Sequence, residues 1–360
     1  MERFLAPLIL TALLSSCAQS VSTPRPATAL VQEIASDRSD PRHSLLASVP
    51  SADRFGDLVL VGSPQMCDHY SEALLGADFH NNADGSLCPD GLKDFSGETV
   101  VCITDPLFEA SEDRLRDFAV RMSVAAVDSV YNLGRYDLDG LGRKRGAKQI
   151  ILCDPEFSLW GRFDADTLFA LTGCGIRIFS PIEEAINAVL GRESDHPLNI
   201  ALLGPEEKVL SGIYTDVAAE QFALHRARGA ELHPFAVTDT TDILPAILDH
   251  YRESGGEKPF DHLIIDDPAV QPAALEESAL RILSVMCPES VTYGKLLSRG
   301  FRVTSSAQAL TAACYDALRK ENLFTFKIAL PAASRYCAVS RPDGSGEGYM
   351  TVPEDSYVQD

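Results

Sequence analysis

The sequence predicts an α/β protein built from two related halves, each a parallel sheet covered by helices. Short apolar runs ending in turn residues recur along the chain, and stretches of helical periodicity separate them. One run occurs almost twice, as "QIILCDP" at 149–155 and "HLIIDDP" at 262–268.

The first half supplies strand-like runs at 57–63 (DLVLVGS), 99–105 (TVVCITD), 149–155 and 176–181 (IRIFSP). The second supplies 199–205 (NIALLGP), 233–239 (HPFAVTD), 262–268 and 301–306 (FRVTSS). Each is short, rich in β-branched residues and apolar on both faces, as strands buried in a parallel sheet are. Between them, residues 111–133 set Leu115, Phe118, Met122, Ala125 and Val130 on one helical face, and residues 305–320 do the same with Ala307, Leu310, Cys314 and Ala317. Ser180-Pro181-Ile182-Glu183 offers an N-cap serine, proline at the first helical position and glutamate at the third, and Ser305 with Gln308 forms a similar box. Each half therefore reads β-α-β-α-β-α-β-α. The expectation is two pseudo-symmetric Rossmann-like domains, each a four-stranded parallel sheet flanked by helices, with a ligand cleft between them. The domains are expected over 57–195 and 196–330.

The ends of the chain read differently. Residues 4–14 (FLAPLILTALL) are almost wholly apolar, and small residues precede Cys17. That pattern predicts a signal peptide over 1–17 of the bacterial lipoprotein kind, with Cys17 lipidated and the protein anchored in the cell envelope. An ordinary cleaved export signal is the alternative. Residues 18–56, rich in Ser, Thr, Pro, Ala and charge, read as a flexible tether, and 331–360, with "DGSGEG" at 343–348, as a C-terminal tail.

The chain of 360 residues is 45% hydrophobic, enough for two cores, and its net charge is −21. With no basic run to neutralise phosphate, a nucleic-acid partner is excluded from the expectations. Nine cysteines show no close framework spacing; Cys67 and Cys88, flanking a loop, are the one pair that suggests a bridge, while Cys102, Cys153 and Cys314 sit in apolar patterns as core thiols do. The histidines lack zinc-ligand spacing, and no phosphate-binding glycine motif is present. No cofactor and no metal are assigned, although carboxylates at several strand ends would suit Mg²⁺ or Ca²⁺ if they met.

The order of motifs resembles the aspartate/glutamate racemase superfamily, glutamate racemase especially, over about residues 57–325. The segments that carry the likeness are "GAKQIILCDP" (146–155), "GIRIFSPIEEAINAVL" (175–190), "NIALLGPEEKVLSGIYTDVAAEQ" (199–221, with Ser211, Gly212 and Tyr214) and "FRVTSSAQALTAACYDAL" (301–318). The resemblance implies a cofactor-free racemase fold with one acid/base group from each half. It also implies that both catalytic cysteine positions are replaced, the first by Asp154 and the second by Asp267, each followed by proline. The first strand ends in Gly62-Ser63-Pro64 without the family's glycine-rich turn, and no Pro-Tyr-Gly follows Asp105.

Exchange of thiol for carboxylate changes the chemistry. A free thiol titrates near 8.5 and an aspartate near 3.9, a loss of basicity worth on the order of 6 kcal/mol. Burial and a facing carboxylate can recover part of it. Two readings of Asp154 and Asp267 follow: proton transfer, or helix and turn capping ahead of Pro155 and Pro268. Cys153 is a third acid/base candidate, or else a core thiol. Ser63, Asp105, Ser180, Ser211 and Asp239, at or near strand ends, are candidate ligand contacts. The functional expectation is an envelope lipoprotein that binds a small carboxylate, such as an amino acid, between its domains without two-thiol racemisation. The alternatives are an active racemase, isomerase or lyase, and a solute-binding lipoprotein.

Overall fold

A computed structural model describes residues 25–106, 111–191, 196–236, 242–284, 288–340 and 349–357. The signal segment, Cys17, Asp239 and the 343–348 stretch lie outside these residues.

The chain enters through α1 (Ala29–Ser36) and α2 (Pro41–Ala47), a stretch expected to be a tether. Both are capped helices: the Thr28 side chain accepts from the Val31 N–H, and Asp40 accepts from Arg42 ahead of Pro41. The Ser, Thr, Asp and Pro that suggest a loose linker by composition serve here as helix starts. Leu30, Val31, Ile34 and Leu46 bury against the first sheet's helices, so from Thr28 onward this segment belongs to the core.

The first half continues β1 (Asp57–Gly62), α3 (Pro64–Gly76), β2 (Thr99–Thr104), α4 (Glu112–Val127), β3 (Val130–Gly134), β4 (Asp137–Arg143), β5 (Ala147–Leu152), α5 (Pro155–Trp160), α6 (Arg162–Thr172), β6 (Arg177–Phe179) and α7 (Pro181–Leu190). The second runs β7 (Asn199–Gly204), α8 (Glu206–Ser211), α9 (Ile213–Leu224), β8 (Glu231–Ala236), α10 (Ile243–Glu253), β9 (Phe260–Ile265), α11 (Pro272–Leu283), α12 (Pro288–Tyr293), β10 (Leu297–Ser305) and α13 (Ser306–Lys320). All eight expected strands form, within a few residues of the expected bounds. β3 and β4 add an antiparallel hairpin that the repeating plan does not contain.

The principal strands of both halves pair in parallel in the same order. In the first sheet β2-β1-β5-β6 lie side by side, and in the second β8-β7-β9-β10. Numbered within its own half, each sheet runs 2-1-3-4. Each therefore reverses direction of winding between its first and third strands, where ligand crevices open in such sheets.

The expected C-terminal tail is not a tail over its described part. β11 (Ala332–Ser340) pairs parallel to β2, and β12 (Tyr349–Pro353) pairs antiparallel to β11, extending the first sheet to six strands. These strands exist through pairing with an edge far away in sequence, which local composition does not reveal.

Helices also cross between the halves. α13, which closes the second half, packs Leu310, Cys314 and Leu318 against Leu58, Leu60 and Phe95 of the first. α7, which closes the first, packs Ile182, Ile186 and Val189 with Ile200, Leu202 and Ile264 of the second. The junction between the halves is thus bounded by helices that each half lends the other. Among the described residues no helix is long and apolar enough to cross a membrane.

Candidate functional site

At the winding reversal of the first sheet, β1 delivers Gly62-Ser63 and β5 delivers Cys153-Asp154. In the second, β7 delivers Gly204-Pro205 and β9 delivers Asp266-Asp267. The backbones match: Cys153 N–H donates to Val61 C=O (2.9 Å) as Asp266 N–H donates to Leu203 C=O (2.8 Å). Cys153 therefore corresponds to Asp266, and Asp154 to Asp267.

The side chains break that symmetry. Asp154 is fully buried. Its Oδ2 accepts from the Ser63 N–H at 2.7 Å and its Oδ1 from the Ser63 hydroxyl at 2.8 Å. Gly62 has to be glycine for this, since a Cβ there would strike the Asp154 carboxylate. Asp154 makes no side-chain cap to α5. Lys208 of α8 reaches over from the second half, its Nζ 3.6 Å from Asp154 Oδ1 and 2.6 Å from Glu156 Oε1. Burial pushes the Asp154 carboxyl up to about 6, against the opposing pull of Lys208 and the Ser63 hydrogen bonds. For Lys208, burial works against the charge, but Asp154 and Glu156 outweigh it and hold the ammonium above its ordinary range. Glu156 is itself buried, and its Oε2 has no hydrogen-bond partner.

Across the junction the buried acid is Asp266, the neighbour of the residue that matches Asp154. Tyr70 of α3 donates to its Oδ1 (2.8 Å) and Tyr214 of α9 to its Oδ2 (2.9 Å), while the Tyr70 and Ser306 hydroxyls share a hydrogen bond at 3.0 Å. Burial pushes the Asp266 carboxyl up, against these hydrogen bonds. Gly204 plays the part of Gly62: a Cβ there would meet the Tyr214 phenol at 2.5 Å. His69, half-buried beside Tyr70, is lowered by burial against the opposing charge of Asp266, Glu72 and Asp267.

The remaining candidates fall into distinct places. Asp267 is half-buried and accepts from the Ala269 N–H at 2.8 Å, a local turn contact. Cys153 is buried in the core, with its sulfur 4.0 Å from that of Cys67. Asp105 is buried and paired with Arg114 at 2.5 Å. Ser180 is buried and hydrogen-bonded to Ser158. Ser211 is exposed, and its hydroxyl donates to Lys208 C=O (2.8 Å) at the end of α8. Cys67 and Cys88 are both free, the first buried and the second exposed, so the bridge suggested between them is not formed. Among the described residues no group of His, Cys, Asp and Glu is placed to hold a metal ion.

Sequence reasoning missed Tyr70, Glu156 and Lys208. Each reaches the junction only because the two halves face one another. Asp266 was visible as the repeated stretch's departure from Cys153, and Tyr214 within Ser-Gly-Ile-Tyr.

Fold and site together define a two-lobed α/β protein with two parallel sheets of one winding order and a buried polar junction at their carboxyl ends. No family model matches the chain, and no curated protein matches it significantly. Among solved structures it is similar to the glutamate racemase of Francisella tularensis in complex with D-glutamate (10% identity, 82% of this chain and 92% of that one, TM-score 0.48). It is also similar to that of Thermus thermophilus in complex with β-chloro-D-alanine (14%, 81% and 90%, 0.46) and to one of Bacillus anthracis (12%, 80% and 90%, 0.45). At these identities and scores the likeness carries no argument about chemistry.

Proposed function

We propose that the chain is an exported protein, tethered through a lipidated Cys17, that holds a small amino-acid-like ligand at the junction of its two lobes and does not carry out two-thiol proton transfer. The observation that carries the reading is the Asp154–Lys208–Glu156 cluster. It spans both halves, it is buried, and Glu156 Oε2 has no donor. A buried carboxylate oxygen without a partner is uncommon and favours a ligand donor such as an ammonium group.

The ligand's carboxylate has complementary surroundings. α3, α7 and α13 all begin at strand ends, and none has a side-chain cap on its first N–H groups. Such helix ends favour anions. Proton transfer by thiols has no support at this junction, because Cys153 is held in the core and burial raises its thiol. The resemblance read from the motif order agrees with a ligand of this class.

The test uses the purified full-length chain with L- and D-glutamate and aspartate in D₂O. A ligand-induced rise in Tm without Cα deuteration is expected, and Glu156→Gln should abolish the rise. Cα deuteration by the wild type that Asp154→Asn abolishes would overturn the binding-only reading. That second reading, proton transfer by Asp154, has one observation in its favour: a carboxyl at about 6 is a better base near neutrality than an ordinary aspartate.

A further inference from the structure

Four buried thiols share the first lobe's core cluster, Cys314 of α13 and three others nearer the strands. Cys67 lies on α3, Cys102 on β2 and Cys153 just beyond β5, all in one core cluster with Leu58, Leu60 and Tyr70. The Cys67 and Cys153 sulfurs are 4.0 Å apart, in van der Waals contact, whereas Cys102 Sγ faces the Cys67 backbone carbonyl at 4.0 Å. A disulfide needs sulfurs about 2 Å closer than this, from side chains already side by side.

We propose that Cys67 and Cys153 are a redox-modification site: in an oxidising compartment they form a disulfide that clamps the segments holding Asp154. Cys153 immediately precedes Asp154 in the chain. The Cys67 N–H donates to Ser63 C=O at 3.0 Å in the first turn of α3, and Ser63 grips the Asp154 carboxylate through its own N–H and hydroxyl. A bond between the two sulfurs therefore joins both backbones on which that grip depends. Closing the link between residues 86 apart also restricts the unfolded chain.

The chemistry balances with a donor disulfide, small-molecule or protein. One protein thiolate attacks a donor sulfur and expels a donor thiol. The second thiolate then displaces the other donor sulfur from the mixed disulfide. Two protein thiols lose two protons and two electrons, and the donor disulfide becomes two thiols. Both sulfurs are sealed in the folded core, so the exchange takes place during folding, while they are accessible. The export expected from the N-terminal segment would supply the compartment. The inference is independent of the ligand reading.

The full-length chain, refolded in a buffer of reduced and oxidised glutathione, is quenched with acid, alkylated in denaturant and mapped by peptide mass spectrometry. The peptides containing Cys67 and Cys153 should be joined, two hydrogens lighter than their sum, with Cys102 and Cys314 alkylated. The oxidised protein should melt roughly 5 °C above the reduced one. Cys67→Ala and Cys153→Ala should each abolish that difference, and Cys102→Ala should retain it. Full alkylation of Cys67 and Cys153, or a link between Cys67 and Cys102, would overturn the proposal.

Discussion

Lys208 and Glu156 belong to different halves of the chain, yet Lys208 Nζ sits 2.6 Å from Glu156 Oε1 in a buried junction, with Asp154 Oδ1 3.6 Å from the same nitrogen. One ammonium therefore serves two buried carboxylates. Removing it should be costly, because both acids would stay buried without a counter-charge. Lys208→Met is expected to lose about 3–5 kcal/mol of stability by urea denaturation, while Glu156→Gln, which leaves Lys208 with Asp154, should lose less.

The second bridge across the junction runs through hydroxyls. Tyr70 and Tyr214 each donate to a different oxygen of buried Asp266. Tyr70→Phe and Tyr214→Phe should each cost about 1–3 kcal/mol, since each strands an acceptor with little change in shape. The two losses should not add. A double-mutant cycle is expected to show coupling of at least about 0.5 kcal/mol, because both phenols donate to one carboxyl group.

Asp154 gives the junction a pH signature. Its folded value of about 6 stands above the ordinary 3.8, so between these values the folded protein binds a proton that the unfolded chain does not. Stability must then fall as pH rises through this window, and acidification from pH 7 to pH 4 should relieve the cost of a buried charge. Relative to Asp154→Asn, which cannot titrate, the wild type should gain about 2 kcal/mol over that range. Paired denaturation curves at the two pH values check it. A difference that shrinks on acidification would contradict the raised value.

How far this site can be read in sequence depends on what its parts require. The central strands β1, β5, β7 and β9 are legible because each is a short run buried on both faces, a local property, whereas the edge strands β8 and β10 are partly exposed and read less cleanly. β11, β12, α1 and α2 are not legible, since they are held by a distant sheet edge or by docking on helices formed later in the chain. The repeat of "ILCDP" in "IIDDP" correctly matches Asp154 to Asp267 along the backbone. It does not tell which of the two adjacent residues brings a carboxylate to the junction, because neighbours at a strand end face opposite ways. In the first half the buried carboxylate is the second residue of the pair, beside Ser63. In the second half it is the first, Asp266, beside two tyrosines from α3 and α9 that no local pattern links to it.

Gly62 and Gly204 end the first strand of each half, and each leaves room for the polar group beside it, Asp154 in one case and Tyr214 in the other. Neither has a positive backbone φ, so the demand is for space and not for conformational freedom. Alanine should therefore fit the backbone and fail only by collision. Gly62→Ala is expected to push the Asp154 carboxylate off Ser63, costing about 1–3 kcal/mol. The loss should be smaller in an Asp154→Ala background, where no carboxylate remains to collide.

The exchange of helices between halves makes a prediction about cooperativity. α13 follows the last strand of the second sheet but buries Leu310, fully excluded from solvent, in the first lobe's core. Leu310→Ala should cost about 2–5 kcal/mol, the usual range for a buried leucine cavity. Were the lobes independent, that cost would lower one of two unfolding transitions and leave the other in place. With α7 packed on the second sheet and α13 in the first lobe's core, both should shift together, and amides in β9 should lose hydrogen-exchange protection along with those in β1. Protection lost in β1 alone would mean that the two cores open separately despite the helices they share.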